Sequence, residues 1–187
     1  MIDAQIAIES MESTATYFRL LTPGPDWAGE PVEARAIDPV ADEGALLAIY
    51  SSTRQEELRQ VPWTDEQKAV FLKGQYEAQH KHYFAHYGQA EYLALEQAGA
   101  MIGRYYLDRS KLDLHVLDIA LLPQHRGCGI GTAILGQLVE EAKASGRGIV
   151  LYVEHQNPAR RLYARLGFKF VEDAGMYAQL AWRGRES

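Results

Sequence analysis

The chain has 187 residues, 47% of them hydrophobic, which suffices for one well-cored domain. A formal net charge of −6 leaves no electrostatic footprint for nucleic acid and mildly favours a cationic small molecule such as an amine. One cysteine, Cys128, excludes an internal disulfide and a cysteine metal cage.

Residues 1–13 carry acidic groups and lack a continuous apolar run, so no signal peptide is visible. All apolar runs fall far short of a membrane span. These features predict a soluble cytoplasmic protein. Residues 1–30 read as an N-terminal extension or an added edge strand, with a short strand over 16–21 broken by Thr22-Pro23-Gly24-Pro25. Residues 31–187 form the predicted domain. Alternation over 32–37 predicts its first core strand, and 42–50 a short helix with Ala45, Leu46 and Ile49 inward.

The polar stretch 51–57 reads as a solvated helix–helix connection or as the rim of a binding pocket. Thr64 and Gln67 form a capping box, which predicts a helix to about residue 79 with Val70, Phe71 and Tyr76 inward. His82 and His86 lie beyond it, four apart but without the HExxH pattern, so surface histidines are expected rather than a metal site. Strands over 92–96 and 100–106 flank a turn at 97–99. A mostly buried strand over 112–121 follows, polar at 113, 115 and 118.

Gln124-His125-Arg126-Gly127-Cys128-Gly129-Ile130-Gly131-Thr132 comes next, and then a helix with apolar residues at 134, 135, 138, 139 and 142. Glycines at 127, 129 and 131 let main-chain amides approach a ligand closely. The helix start adds free N–H groups and a positive dipole end, which suits phosphate or pyrophosphate. Arg126 can add a charge-assisted contact. The helix lacks the Gly-Lys-Ser/Thr of a P-loop, and the glycine spacing is not GxGxxG. A glycine-rich turn with no ligand is the plain alternative.

Gly146-Arg147-Gly148 ends that helix. Residues 149–153 predict a central buried strand, Asn157-Pro158 the start of a helix over 159–166, and 168–171 and 176–182 a last strand pair around Gly175.

The pattern Arg126-x-x-Gly129-x-Gly131 after a strand ending in Leu-Pro resembles the acyl-CoA pyrophosphate loop of the GNAT superfamily of N-acyltransferases. The stretch from Asn157 through Ala159, Leu162-Tyr163 and Leu166-Gly167-Phe168 resembles that family's second characteristic helix. The order β-α-α-β-β-β-α-β-α-β-β over residues 32–182 is similar too. The expected class is therefore α/β (α+β), with a mixed central sheet flanked by helices in the GNAT acyl-CoA N-acyltransferase fold.

The resemblance implies acetyl transfer from acetyl-CoA to an amine, with no metal. It implies that Arg126, Gly127, Cys128, Gly129, Ile130, Gly131 and Thr132 hold the diphosphate. Main chain of Ile119, Ala120 and Leu121 would pair with pantetheine, and the Leu121 N–H would support the thioester carbonyl. Asn157 to Tyr163 is six positions, one fewer than is frequent in the family, so Asn157 and Gln156 are alternatives for reaching the pantetheine arm. Tyr163 is expected as general acid toward the sulfur, or as a buried tyrosine with one hydrogen bond. Asp118, a carboxylate inside an apolar strand, either relays the acceptor's proton or holds a neighbouring backbone group or arginine.

Arg54, Glu56, Glu57 and Trp63 lie where relatives build the acceptor pocket. The expected acceptor is a small-molecule amine or amino-acid-like compound. A protein N-terminus or lysine is the alternative, and a non-catalytic acyl-CoA-binding module a further one. Dimers are frequent among relatives, which makes a homodimer a partner to consider.

Overall fold

The structure, a computed structural model, describes residues 20–21 and 29–184. Eight strands form one mixed sheet in the order β1-β2-β3-β4-β5-β6-β8-β7. They are β1 (Leu20–Leu21), β2 (Val32–Ala36), β3 (Glu91–Gln97), β4 (Ala100–Asp108), β5 (Leu114–Leu121), β6 (Ile149–Glu154), β7 (Lys169–Ala174) and β8 (Tyr177–Trp182). The helices are α1 (Glu43–Arg59), α2 (Asp65–His86), α3 (Ile130–Ser145) and α4 (Arg160–Arg165). The α/β order and mixed sheet are as the sequence predicts. Of the strand expected at 16–21, residues 16–19 lie outside the described residues, and β1 pairs antiparallel with the start of β2.

Strands β2 to β5 form an antiparallel meander. Its β3–β4 turn is Ala98-Gly99, both with positive φ (52° and 76°), the geometry a two-residue hairpin favours. The β5–β6 pair is parallel, joined through α3. On one face, Leu107, Leu114, Val116, Ile149 and Leu151 pack with Ile134, Leu135 and Leu138 of α3. On the other, Leu46, Tyr50 and Tyr76 of α1 and α2 pack with Met101. None of the helices among the described residues is long and apolar enough to cross a membrane.

Four expectations need correction. The helix expected at 42–50 continues to Arg59, so residues 51–57 are helical and not a connection. Their polarity is absorbed locally: the Ser52 and Thr53 hydroxyls donate to Ile49 O and Tyr50 O at 2.7 Å. Leu58, 8% exposed, anchors the last turn. The capping box at Thr64 and Gln67 forms, but α2 runs on to His86 and takes in His82.

Within α2, Tyr76 is inward while Val70 (75% exposed) and Phe71 (40%) face outward. The inward stripe follows Leu72 and Tyr76, four apart, and positions 70 and 71 fall off it. In β6, residues 149, 151 and 153 are buried but Tyr152 is 46% exposed, so the strand is covered on one face only.

Candidate active site

Strand β5 follows β4 as far as Leu121 but pairs with β6 only from Leu114 to Val116. Beyond that point the two parallel strands have no mutual partners, and a crevice opens at their carboxyl ends. Open sheets place ligands in such a crevice. A bulge marks where the divergence begins. Leu107 opposes Val116 and Tyr106 opposes Asp118, so Leu117 is an extra residue. The Tyr83 hydroxyl donates to the Leu117 carbonyl at 3.1 Å.

The β4–β5 ladder then fixes which main-chain groups face the gap. Leu122 N donates to Ile102 O at 2.8 Å, which makes 102/122 a hydrogen-bonded pair. Pairs alternate, so Leu121 opposite Gly103, and Ile119 opposite Tyr105, turn their N–H and C=O away from β4. Ala120 instead bonds toward β4. Gly103 is required here, because a Cβ would lie 2.5 Å from Ala120 O.

From β5 the chain passes through a 3₁₀ turn at Pro123–His125 into the glycine loop. Gly127 and Gly129 adopt φ of 74° and 90°, and Gly129 caps α3. Ala133 N makes the first intrahelical bond, to Gly129 O. The amides of Ile130, Gly131 and Thr132 therefore lie in the unpaired first turn. At Gly131 a Cβ would meet only Leu162 Cδ2 of α4, at an ordinary contact distance of 3.4 Å. Cys128 is exposed, with its thiol 3.5 Å from the Arg126 carbonyl. The Arg126 guanidinium turns toward the protein, to Leu121 O at 2.7 Å and Ser52 Oγ at 2.8 Å.

Tyr163, on α4, is 6% exposed and packs edge-on against Phe168. Burial, and then the charge of Asp118, push its pKa up to about 12. Asp118 lies 2.5 Å from Arg104 Nη2. Arg104 is 3% exposed and also donates to Gln79. Burial pulls its pKa down, the Asp118 charge pulls it up, and the net direction is up. Asn157 sits at the turn into α4, its Oδ1 accepting from Ala159 N at 2.9 Å.

Of the four residues expected around an acceptor, Arg54 and Glu57 sit together. Arg54 Nη1 contacts Glu57 at 3.1 Å and Glu154, at the end of β6, at 2.8 Å. Glu56 pairs with Arg59 in solvent. Trp63 stacks edge-on with Phe71 at 5.2 Å. Together with Glu66, Gln67 and Val70 they line an open concavity of about 610 Å³, which neither Tyr163, Asp118 nor the glycine loop borders. Arg104, Glu154 and Tyr83 carry no signal in the sequence that marks them for this site, while Ser52 falls in the stretch 51–57. Among the described residues no group of three or more His, Cys, Asp or Glu is placed to hold a metal ion.

A family model described as an acetyltransferase (GNAT) domain matches residues 59–182. Over 90 residues, 48% of this chain and 59% of the relative, the sequence is 36% identical to the ribosomal protein bS18-alanine N-acetyltransferase of Haemophilus influenzae. Over 163 residues, 80% of this chain and 50% of the relative, it is 28% identical to the mycothiol acetyltransferase of Saccharomonospora viridis. The matches thus span 59% and 50% of these curated relatives. The PaiA N-acetyltransferase of Thermoplasma acidophilum, solved with coenzyme A, superposes with a TM-score of 0.62 at 18% identity, covering 82% of this chain and 99% of that one. At that identity the likeness is one of fold.

Proposed function

The chain belongs to the GNAT acetyltransferase family, and from that premise we propose that it transfers an acetyl group from acetyl-CoA to the α-amino group of an amino-acid-like acceptor. The observation that carries this reading is the inner edge of Ile119 and Leu121, which has no strand partner on that side and lies in the crevice that leads into the loop of 127–132. An edge with unpaired amides accepts an extended chain as a further strand would. A loop without side chains at 127, 129 and 131, continued by the first turn of α3, accepts a diphosphate. Asn157, at the turn into α4, is proposed to meet the pantetheine arm.

Acetyl-CoA supplies an activated acyl carbon for an amine to attack. The Leu121 N–H supports the acyl carbonyl from the gap side. Tyr163 donates the proton that the departing sulfur takes up. Its pKa of about 12 keeps it protonated at neutral pH, as a proton donor requires. Asp118 is ion-paired with Arg104, and its role in this scheme is to hold that arginine and disfavour tyrosinate at Tyr163. An amine of pKa ~10 is about 0.1% neutral at pH 7, a cost of roughly 4 kcal/mol that the acceptor site must offset.

An α-amine at a protein N-terminus is the second reading. It is favoured by the name of the alanine N-acetyltransferase relative and by Tyr152 and Tyr177, 46% and 41% exposed beside Glu154. A panel of free amino acids, amino sugars, polyamines and an alanine-initiated peptide, with thiol release as readout, tests both. Release with α-amines and not with polyamines is the expected result. No release with any of them, alongside an acetyl-CoA thermal shift, would favour a non-catalytic acyl-CoA-binding module.

A further inference from the structure

Arg126 lies in the glycine loop, yet its guanidinium is committed elsewhere. Nε donates to the Leu121 carbonyl at 2.7 Å, and Nη2 donates to Ser52 Oγ at 2.8 Å and Ser52 O at 3.3 Å. Ser52 is buried, and its own hydroxyl proton goes to Ile49 O at 2.7 Å. Its oxygen is therefore free to accept from Arg126. Two residues further along α1, Arg54 reaches Glu154. One turn of α1 is thus joined to the tips of both diverging strands, to β5 through Arg126 and to β6 through Arg54. A guanidinium swung out to a phosphate would give up three contacts made in a fixed fork. It would also release the carbonyl of Leu121, where β5 ends and the chain turns toward the loop.

We propose that Arg126 is a positioning residue. It holds α1 across the mouth of the crevice and fixes the Leu121 carbonyl, while the amide edge that meets the coenzyme is set by the β4 ladder and the diphosphate is held by main-chain amides of the loop. This rests on the acetyltransferase reading for its catalytic consequence, and not for its structural one.

The test compares wild type with Arg126→Gln, Arg126→Lys, Ser52→Ala and the Arg126→Gln/Ser52→Ala double variant. Titration calorimetry with coenzyme A is expected to give dissociation constants within about twofold of wild type for Arg126→Gln, with unchanged salt dependence. Amide hydrogen exchange over residues 49–58 is expected to speed up about tenfold in Arg126→Gln and in Ser52→Ala, and no further in the double variant. In turnover, the acceptor KM rises while the acetyl-CoA KM does not, and Arg126→Lys recovers part of the loss. A tenfold or greater loss of coenzyme A affinity in Arg126→Gln would make the arginine a phosphate ligand and overturn the proposal. Unchanged exchange in α1 would overturn it as well. If wild type acetylates no amine, the acetyltransferase reading fails, while affinity and exchange still decide the place of Arg126.

Discussion

Arg54 and Glu154, 100 residues apart in sequence, meet at 2.8 Å and join α1 to the end of β6. Their side chains are 28% and 32% exposed, and Arg54 keeps Glu57 as a second partner. Breaking such a pair costs about 0.5–1 kcal/mol. Glu154→Gln is therefore expected to lower the urea midpoint slightly and to raise the acceptor KM several-fold, leaving acetyl-CoA affinity unchanged. A loss of acetyl-CoA affinity as large as that of the acceptor would place the pair on the coenzyme side instead.

Tyr163→Phe removes a phenol and keeps the ring that packs on Phe168. The expected outcome is a fall in turnover on the order of 100-fold with acetyl-CoA affinity nearly intact. Asp118→Asn provides the pH companion. The negative charge of Asp118 raises the pKa of Tyr163, so its removal lowers that pKa from about 12. Any alkaline decline in turnover should then move to lower pH in the variant. A decline that stays put would separate Tyr163 from the proton transfer.

Gly103→Ala touches no ligand, yet it should weaken coenzyme A binding. Its Cβ would press on Ala120 O at 2.5 Å and Leu121 Cδ2 at 2.6 Å, both on the strand whose far edge faces the gap. Overpacking of this kind costs about 1–3 kcal/mol. Denaturant unfolding should register the strain, and calorimetry the lost affinity. Affinity equal to wild type would mean that the inner edge of β5 does not hold the coenzyme.

His115 packs edge-on against Tyr87 and has its pKa lowered from 6.5, chiefly by burial. A base with a depressed folded pKa stabilises the fold above its unfolded pKa, and that stability is lost as pH falls through the folded value. Urea midpoints should drop as pH falls below 6.5, and His115→Gln should flatten that slope. An unchanged slope would assign the acid sensitivity to other groups.

The parts of the site written as contiguous residues were legible in the sequence. The glycine loop announced its backbone through Gly127 and Gly129, and both take positive φ. The turn at Asn157 and the helix carrying Tyr163 were equally local. The partners in the ion pairs were not, because each depends on packing between distant segments, although an arginine was one alternative for Asp118. Arg104 meets Asp118 only through the β4–β5 pairing, and Arg54 meets Glu154 only through the placement of α1. The length of α1 was hidden by Ser52 and Thr53, whose hydroxyls return to the helix backbone rather than to water. Trp63, expected at the acceptor rim, precedes α2 and packs against Phe71 on its outward face. The bulge did leave a trace: polar residues at 113 and 115 keep alternation, and the next, at 118, breaks it.

That extra residue sets the parity of everything downstream on β5. With Leu117 in place, Asp118 shares a side of the sheet with Tyr106 and meets Arg104, while Ile119 joins Tyr105 above α3. Were Leu117 instead to pair in regular register opposite Tyr106, Asp118 would fall opposite Tyr105 and the carboxylate would lie beneath α3, in an oily layer with no cation to meet it. Arg104 would be stranded on the opposite side. A frameshift of one in the pleat would thus undo the electrostatics around Tyr163 while leaving the glycine loop's own residues untouched.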